Sequence, residues 1–368
     1  MPCPYAQLIV DDTKHINDSD DSDNSIVDEV LMTKTAVNGT GNHHQSANEP
    51  LNYATYLRTD LLLSALKCLS HTDPLDNNSP PVHDEHFFIL IHQVFELWFK
   101  QLLFEIDSIR HIFTKSDNVI PSLFNINLRL KRSVKILNIL VDQFELLDSM
   151  TPIEFLEFRG YLSAGSGFQS LQFRIIEMKL GLTDRFRSSF KTKYFTGTMF
   201  KGEQNVELEQ AINEESLLIQ IERWLETIYE NTSFDFLTVF TSSVEHFIEH
   251  GKKQKIMNGV AVETAERDVE TSKRLFASMI DSSEYQKLLN NNERRISHKA
   301  MLAALMISLY HQQPCFQQAY QMLGLLMDVD ALMASWRYKH MLMVQRQIGR
   351  KPGTGGTGGF SYLQQTIT

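Results

Sequence analysis

The run His83-Asp84-Glu85-His86-Phe87-Phe88-Ile89-Leu90-Ile91-His92-Gln93-Val94-Phe95-Glu96-Leu97-Trp98-Phe99-Lys100-Gln101 decides how this chain folds. Its apolar residues recur at helical rather than alternating spacing. A neutralisable base, His92, sits in its middle, with Phe88 one turn before it and Phe95 three residues after it. An imidazole among aromatic rings, where water is scarce, suits a flat and mostly apolar molecule with one polar N–H. A packed core histidine suits the same position. Burial favours the neutral imidazole in either case.

Working outward, helical spacing dominates the chain and few runs alternate with period two. The reading is all-α: a single large helical-bundle domain over 51–368, behind a disordered acidic segment over 1–50. That head holds nine Asp/Glu against two Lys, which accounts for most of the net charge of −10. It is too polar to offset the entropy of ordering. With 368 residues and 42% hydrophobic content, the remainder can bury a sizeable core.

A long helix is expected from about Asp84 to Phe113, with Asp84 capping it, and a second from about Leu123 to Asp148. Thr151-Pro152-Ile153-Glu154 is a helix-start signal: Thr as N-cap, Pro at the first helical position, Glu three after the cap. A helix from Phe168 should stop at Gly181. Helical stretches are expected at about 206–230, 234–255 and 261–280. A helix capped by Ser297 follows, then a segment starting at Pro314, and a helix opened by Asp328 or Asp330 that runs to about Ile348.

The body carries no concentrated basic face, so nucleic acid is not an expected partner. No run approaches the ~18 consecutive apolar residues of a membrane span, and no secretory signal opens the chain. The three cysteines, Cys3, Cys68 and Cys315, are dispersed and include no C-x-x-C pair. No membrane association is expected, and the location read from these features is cytoplasmic.

Several residues could carry chemistry. His340 lies four residues after Trp336, on one helical face with Met333, Met343 and Val344. Such a face suits an axial haem ligand and equally a hydrogen-bonded core histidine. His83-Asp84-Glu85-His86 has the look of a metal site, but lies at a helix start where acidic residues have ordinary capping work. Arg159, one turn after Phe155, offers a planar fork to a carboxylate or to a surface salt bridge. Gly353 to Gly358 matches G-x-G-x-x-G but follows a long helix instead of a strand, so a flexible lid bearing Thr354 is the better reading.

Together these pieces resemble the tryptophan 2,3-dioxygenase family. The matching segments are Tyr53-Ala-Thr-Tyr56-Leu57, His83 through Gln101, Phe155 with Phe158-Arg159, Ser166 through Arg174, Trp336-Arg-Tyr-Lys-His340, and Gly353-Thr354-Gly-Gly356 with Tyr362-Leu363. They run in the family's order from about residue 51 to the end. The resemblance implies haem b, one per subunit, with His340 as the axial ligand of its iron and Trp336 beside it. It implies that His92 is catalytic and accepts the indole N–H, and that Arg159 pairs with the substrate carboxylate. Thr354 would contact the ammonium or carboxylate, Phe88 and Phe155 would wall the indole, and Ser166 and Gly167 would line the haem.

The implied reaction cleaves the indole C2–C3 bond of L-tryptophan with O2 to N-formyl-L-kynurenine, the first step of the kynurenine pathway. The implied assembly is a homotetramer, a dimer of dimers, with Tyr53 and Tyr56 reaching a neighbouring site. The alternative is a haem-binding but catalytically impaired paralogue or fragment, because the family continues through further C-terminal helices. Three stretches depart from the family. Ala164-Gly165-Ser166-Gly167 stands for Pro-Ala-Ser-Gly, and Lys339 stands for Asn before the axial histidine. Trp224-Leu225-Glu226-Thr227-Ile228-Tyr229-Glu230 stands for Trp-Leu-Glu-Arg-Thr-Pro-Gly, which puts a secondary tryptophan site there in doubt.

Overall fold

The computed structural model describes residues 52–116, 118–162, 169–182 and 199–349, with 351, 360, 363 and 364. The chain divides into two compact units, Met1–Lys67 and Cys68–Thr368. In the first, α1 (Tyr53–Leu57) and α2 (Thr59–Ser64) are short and contain no buried residue. Asn52 caps α1 with a reciprocal hydrogen-bond pair to Thr55. The chain turns between the helices at Arg58, which takes the left-handed conformation with φ of 53°.

The second unit is a helical bundle, and no strand occurs among the described residues. Its centre is α3 (His83–Lys115) against α4 (Leu123–Leu147), α5 (Pro152–Arg159) and α6 (Leu171–Leu180). By length and composition α3 is apolar enough to cross a membrane. Here it packs Ile91, Phe95, Phe99, Leu102 and Ile106 into the core instead. Thr151, Pro152 and Glu154 form the expected capping box of α5. The helix expected from Phe168 begins at Leu171, because Ser170 caps it through the Phe173 amide. It ends at Gly181, where φ is 115° and a Cβ would come within 2.6 Å of Leu218 Cβ.

Two expectations are corrected. The stretch 206–230 is two helices, α7 (Glu203–Asn213) and α8 (Leu217–Glu230), because Ser216 caps α8 through the Ile219 amide. After α9 (Phe236–Met257), α10 (Val262–Ile280), α11 (Ser282–Asn290) and the Ser297-capped α12 (His298–Leu309), one helix closes the bundle. This α13 (Pro314–Ile348) runs unbroken for 35 residues, so neither Asp328 nor Asp330 opens a helix. Nothing between Pro314 and Ile348 breaks a helix, and packing along α4 supports its length. The far end of α13 is tied by Gln347, whose amide donates to the Met150 carbonyl at 2.8 Å.

The start of α3 is held differently from expectation. Its N-cap is Val82, which offers no side chain to the first turn, and Asp84 lies inside the helix. Glu85 is buried and reaches back to the segment before it. Its carboxylate accepts from the Leu69 amide, the Ser70 amide at 2.9 Å and the Ser70 hydroxyl at 2.6 Å. Burial alone would raise its pKa, but the hydrogen bonds from Ser70, Leu69 and Cys68 bring it below the ordinary value. Glu85 is thus engaged in anchoring α3, while His83 beside it points to solvent. Glu85→Ala should lower stability by about 3 kcal/mol, since buried donors lose their acceptor. Denaturant unfolding checks this, and a loss below ~0.5 kcal/mol would show that the anchor is dispensable.

Candidate active site

Two imidazoles from distant parts of the chain define the site. His92 sits mid-way along the first half of α3, and its Nδ1 lies 2.7 Å from the Phe88 carbonyl one turn earlier. A carbonyl can only accept, so Nδ1 carries the hydrogen and Nε2 keeps the lone pair. Burial lowers the pKa of His92, outweighing the Phe88 hydrogen bond and the charge of Glu96. The ring is therefore neutral and presents an acceptor. Glu96, one turn further on, is held by the Gln172 amide of α6, which donates to both its backbone and side-chain oxygens at 2.8 Å.

Aromatic rings surround this base. Phe88 lies 4.1 Å from His92 between centroids, and Phe155 and Phe158 of α5 lie 5.8 and 5.3 Å from Phe88. Phe155 and Phe158 are buried, so the capping box that starts α5 also delivers two walls of the site. Arg159, the last residue of α5, is half-buried one turn after Phe155.

His340 comes from α13. Its pKa falls from an ordinary 6.5 to about 4, first through burial, then through the charges of His92 and Arg174. The effect of His92 shows that the two imidazoles lie close enough for a charge on one to disfavour a charge on the other. His340 packs against Phe144 of α4 and Trp336 of its own helix, at 6.1 and 5.2 Å. Trp336 stacks on Phe173 of α6 at 4.5 Å. Phe95 joins the two ends, touching His92, Phe144 and Trp336.

Among the described residues the buried Trp336 Nε1–H finds no acceptor. A buried indole N–H ordinarily finds an acceptor. A site with two neutral imidazoles, an aromatic lining and a waiting donor fits a flat apolar macrocycle that brings its own iron and acceptor oxygens. The residues present therefore fit a haem.

Among the sequence-derived candidates, Phe88, His92 and Phe155 come together on one side, and Trp336 and His340 on the other. Tyr53 and Tyr56 lie in the first unit, 79% and 73% exposed. Ser166, Gly167 and Thr354 lie outside the described residues. Phe144 and Phe173 escaped sequence reasoning, since each is an ordinary apolar position of its helix. Their only signal was aromatic identity on faces directed at the same core. Trp224, in the stretch that departs from the family, is buried in α8 with its ring 6.3 Å from Phe113. Glu226 there accepts from the Ser297 hydroxyl, so both residues are engaged in packing.

Both imidazoles should stay neutral in the folded haem-free protein, while in the unfolded chain they protonate near 6.5. The unfolded state then binds more protons as pH falls, so stability should drop between about 6.5 and about 4. Denaturant unfolding across that window should show a shallower fall for His340→Leu. Superimposable profiles would mean that His340 is not held neutral by the fold.

The family described as Tryptophan 2,3-dioxygenase matches residues 38–368. A tryptophan 2,3-dioxygenase of Anopheles gambiae is 39% identical over 335 residues, covering 89% of this chain and 84% of the relative. Tryptophan 2,3-dioxygenase B of Danio rerio is 37% identical over 333 residues, covering 89% and 80%. This chain belongs to the tryptophan 2,3-dioxygenase family and is an oxidoreductase that dioxygenates tryptophan.

Proposed function

We propose that this enzyme is haem-dependent and converts L-tryptophan and O2 to N-formyl-L-kynurenine, opening the kynurenine pathway. The observation that carries this reading is the aromatic cluster that joins His92 and His340 through Phe95 and Trp336, with the Trp336 N–H unpartnered. Haem b, one per subunit, would supply the dioxygen chemistry that cleaves the indole C2–C3 bond. His340 would hold the iron, with Trp336 beside it and its N–H free to donate to the bound group. Ser166 and Gly167 complete the haem lining.

The remaining residues bind and orient the substrate. The lone pair on His92 Nε2 accepts the indole N–H, and Phe88 and Phe155 press on the ring faces and exclude water. Arg159 holds the carboxylate, and Thr354 contacts the ammonium or carboxylate. A zwitterion attached to an apolar ring needs those complementary groups: a cation, a hydroxyl, aromatic walls and one N–H acceptor. Tyr53 and Tyr56 are exposed on a helix that buries nothing of its own. They act in a neighbouring subunit of a homotetramer in the cytoplasm.

The direct test is the absorption spectrum of haem-reconstituted protein, followed by anaerobic reduction, addition of L-tryptophan and O2, and detection of formylkynurenine. A Soret band with turnover is expected; a haem spectrum without product would contradict the reading. His340→Ala should abolish haem retention, and normal haem content would remove His340 as the ligand. Arg159→Ala should cut kcat/KM for tryptophan about 10- to 100-fold, the loss expected for one charge-assisted hydrogen bond. Tryptamine, which lacks the carboxylate, should be far less affected; equal losses would refute the carboxylate role.

A further inference from the structure

We propose that Glu177 is a positioning carboxylate for the His340 end of the pocket. Through Arg337 it ties the turn of α13 that carries Trp336 and His340 to α6, and it balances the charge at that end. The inference rests on the reading of His340 as the haem ligand.

Glu177 is 4% exposed, and each of its oxygens receives a different guanidinium. Arg174 of its own helix donates to Oε2 at 2.7 Å, and Arg337 of α13 donates to Oε1 at 3.1 Å. Arg174 in turn lies over the Phe173 ring, 5.4 Å from its centre. Phe173 and Glu177 are one turn apart on α6, and Trp336 and Arg337 are consecutive on α13. Hence α6 grips α13 at two adjacent points, a ring stack on Trp336 and an ion pair on Arg337.

A stack alone tolerates sliding and rotation of one helix past the other. A carboxylate with each oxygen engaged does not, because any shift leaves a buried charge poorly paired. Apolar residues of similar volume would fill the same space without the cost of desolvating three charges. What they would not supply is a fixed register and a fixed charge beside the axial ligand, where a low local dielectric carries charge effects far. Arg337 lies three residues before His340 on α13, so the network reaches the turn that carries the ligand.

The test is the midpoint potential of the haem-reconstituted protein, with the rate of haem loss to an acceptor protein. Glu177→Gln leaves two guanidiniums beside a neutral amide, which favours the ferrous state and should raise the potential. Arg337→Gln removes a positive charge and should lower it. The double variant should return towards the wild-type potential. A merely structural role would move both single variants in the same direction, and that result, or no shift in either, would overturn the proposal. Glu177→Asp keeps the charge but shortens the reach. It should hold the wild-type potential while haem loss speeds up several-fold, and unchanged haem loss would overturn the positioning role. His340→Gly, with and without added imidazole, reports on the ligand reading separately. Restoration of the spectrum by imidazole supports it, whereas a wild-type spectrum without imidazole overturns both readings.

Discussion

The site depends on two part-buried imidazoles whose surroundings disfavour their charged forms. Burial pushes His92 and His340 away from protonation, and at His340 any charge on His92 and the standing charge of Arg174 would push the same way. Aromatic side chains accomplish the burial: Phe88, Phe95, Phe144, Phe155, Phe158 and Trp336. A neutral imidazole has a lone pair to give, and that is what both metal ligation and acceptance of an indole N–H require. The same packing that stabilises the bundle therefore prepares the chemistry. On α3 one face supplies core residues and, in the same turns, the base.

Each helix reaches its place for a reason that can be stated locally. Glu85 fastens the start of α3 to Leu69 and Ser70, which sets where His92 falls. The capping box at Thr151 starts α5 so that Phe155 and Phe158 face Phe88. Ser170 starts α6 and Gly181 ends it, which places Phe173 on Trp336 and Glu177 on Arg337. Lys179 of the same helix pairs with Asp107 of α3 at 2.6 Å, so α6 is braced on both sides of the site.

Much of this was legible in the amino-acid order. Period gave α3 and α4, and the Thr151 cap gave α5, to within a few residues, because those signals act over one or two turns. The break at Ser216 was missed, since a serine with good helix formers on both sides is weak punctuation until tertiary packing selects the cap. The single helix α13 was read as two segments, because Asp328 and Asp330 resemble a start signal when their solvent-facing positions are unknown. The resemblance assigned roles to His92 and His340, whereas spacing left each as a core residue or a functional one. What spacing lacked was their place in one cluster, a tertiary fact that arises from the long packing of α13 along α4 and the ring contacts of Trp336 with Phe95 and Phe99. The unpartnered Trp336 N–H and the bridging of Arg174 and Arg337 by Glu177 were equally out of reach.

The central claim is that the fold holds both imidazoles neutral, with the His92 hydrogen on Nδ1 and its Nε2 free to accept. Nitrogen-15 NMR of imidazole-labelled, haem-free protein near pH 7 tests it most directly, with His92→Gln and His340→Gln to assign the signals. The account predicts two neutral rings and the Nδ1–H tautomer for His92. An imidazolium at either position, or the Nε2–H tautomer at His92, would contradict it.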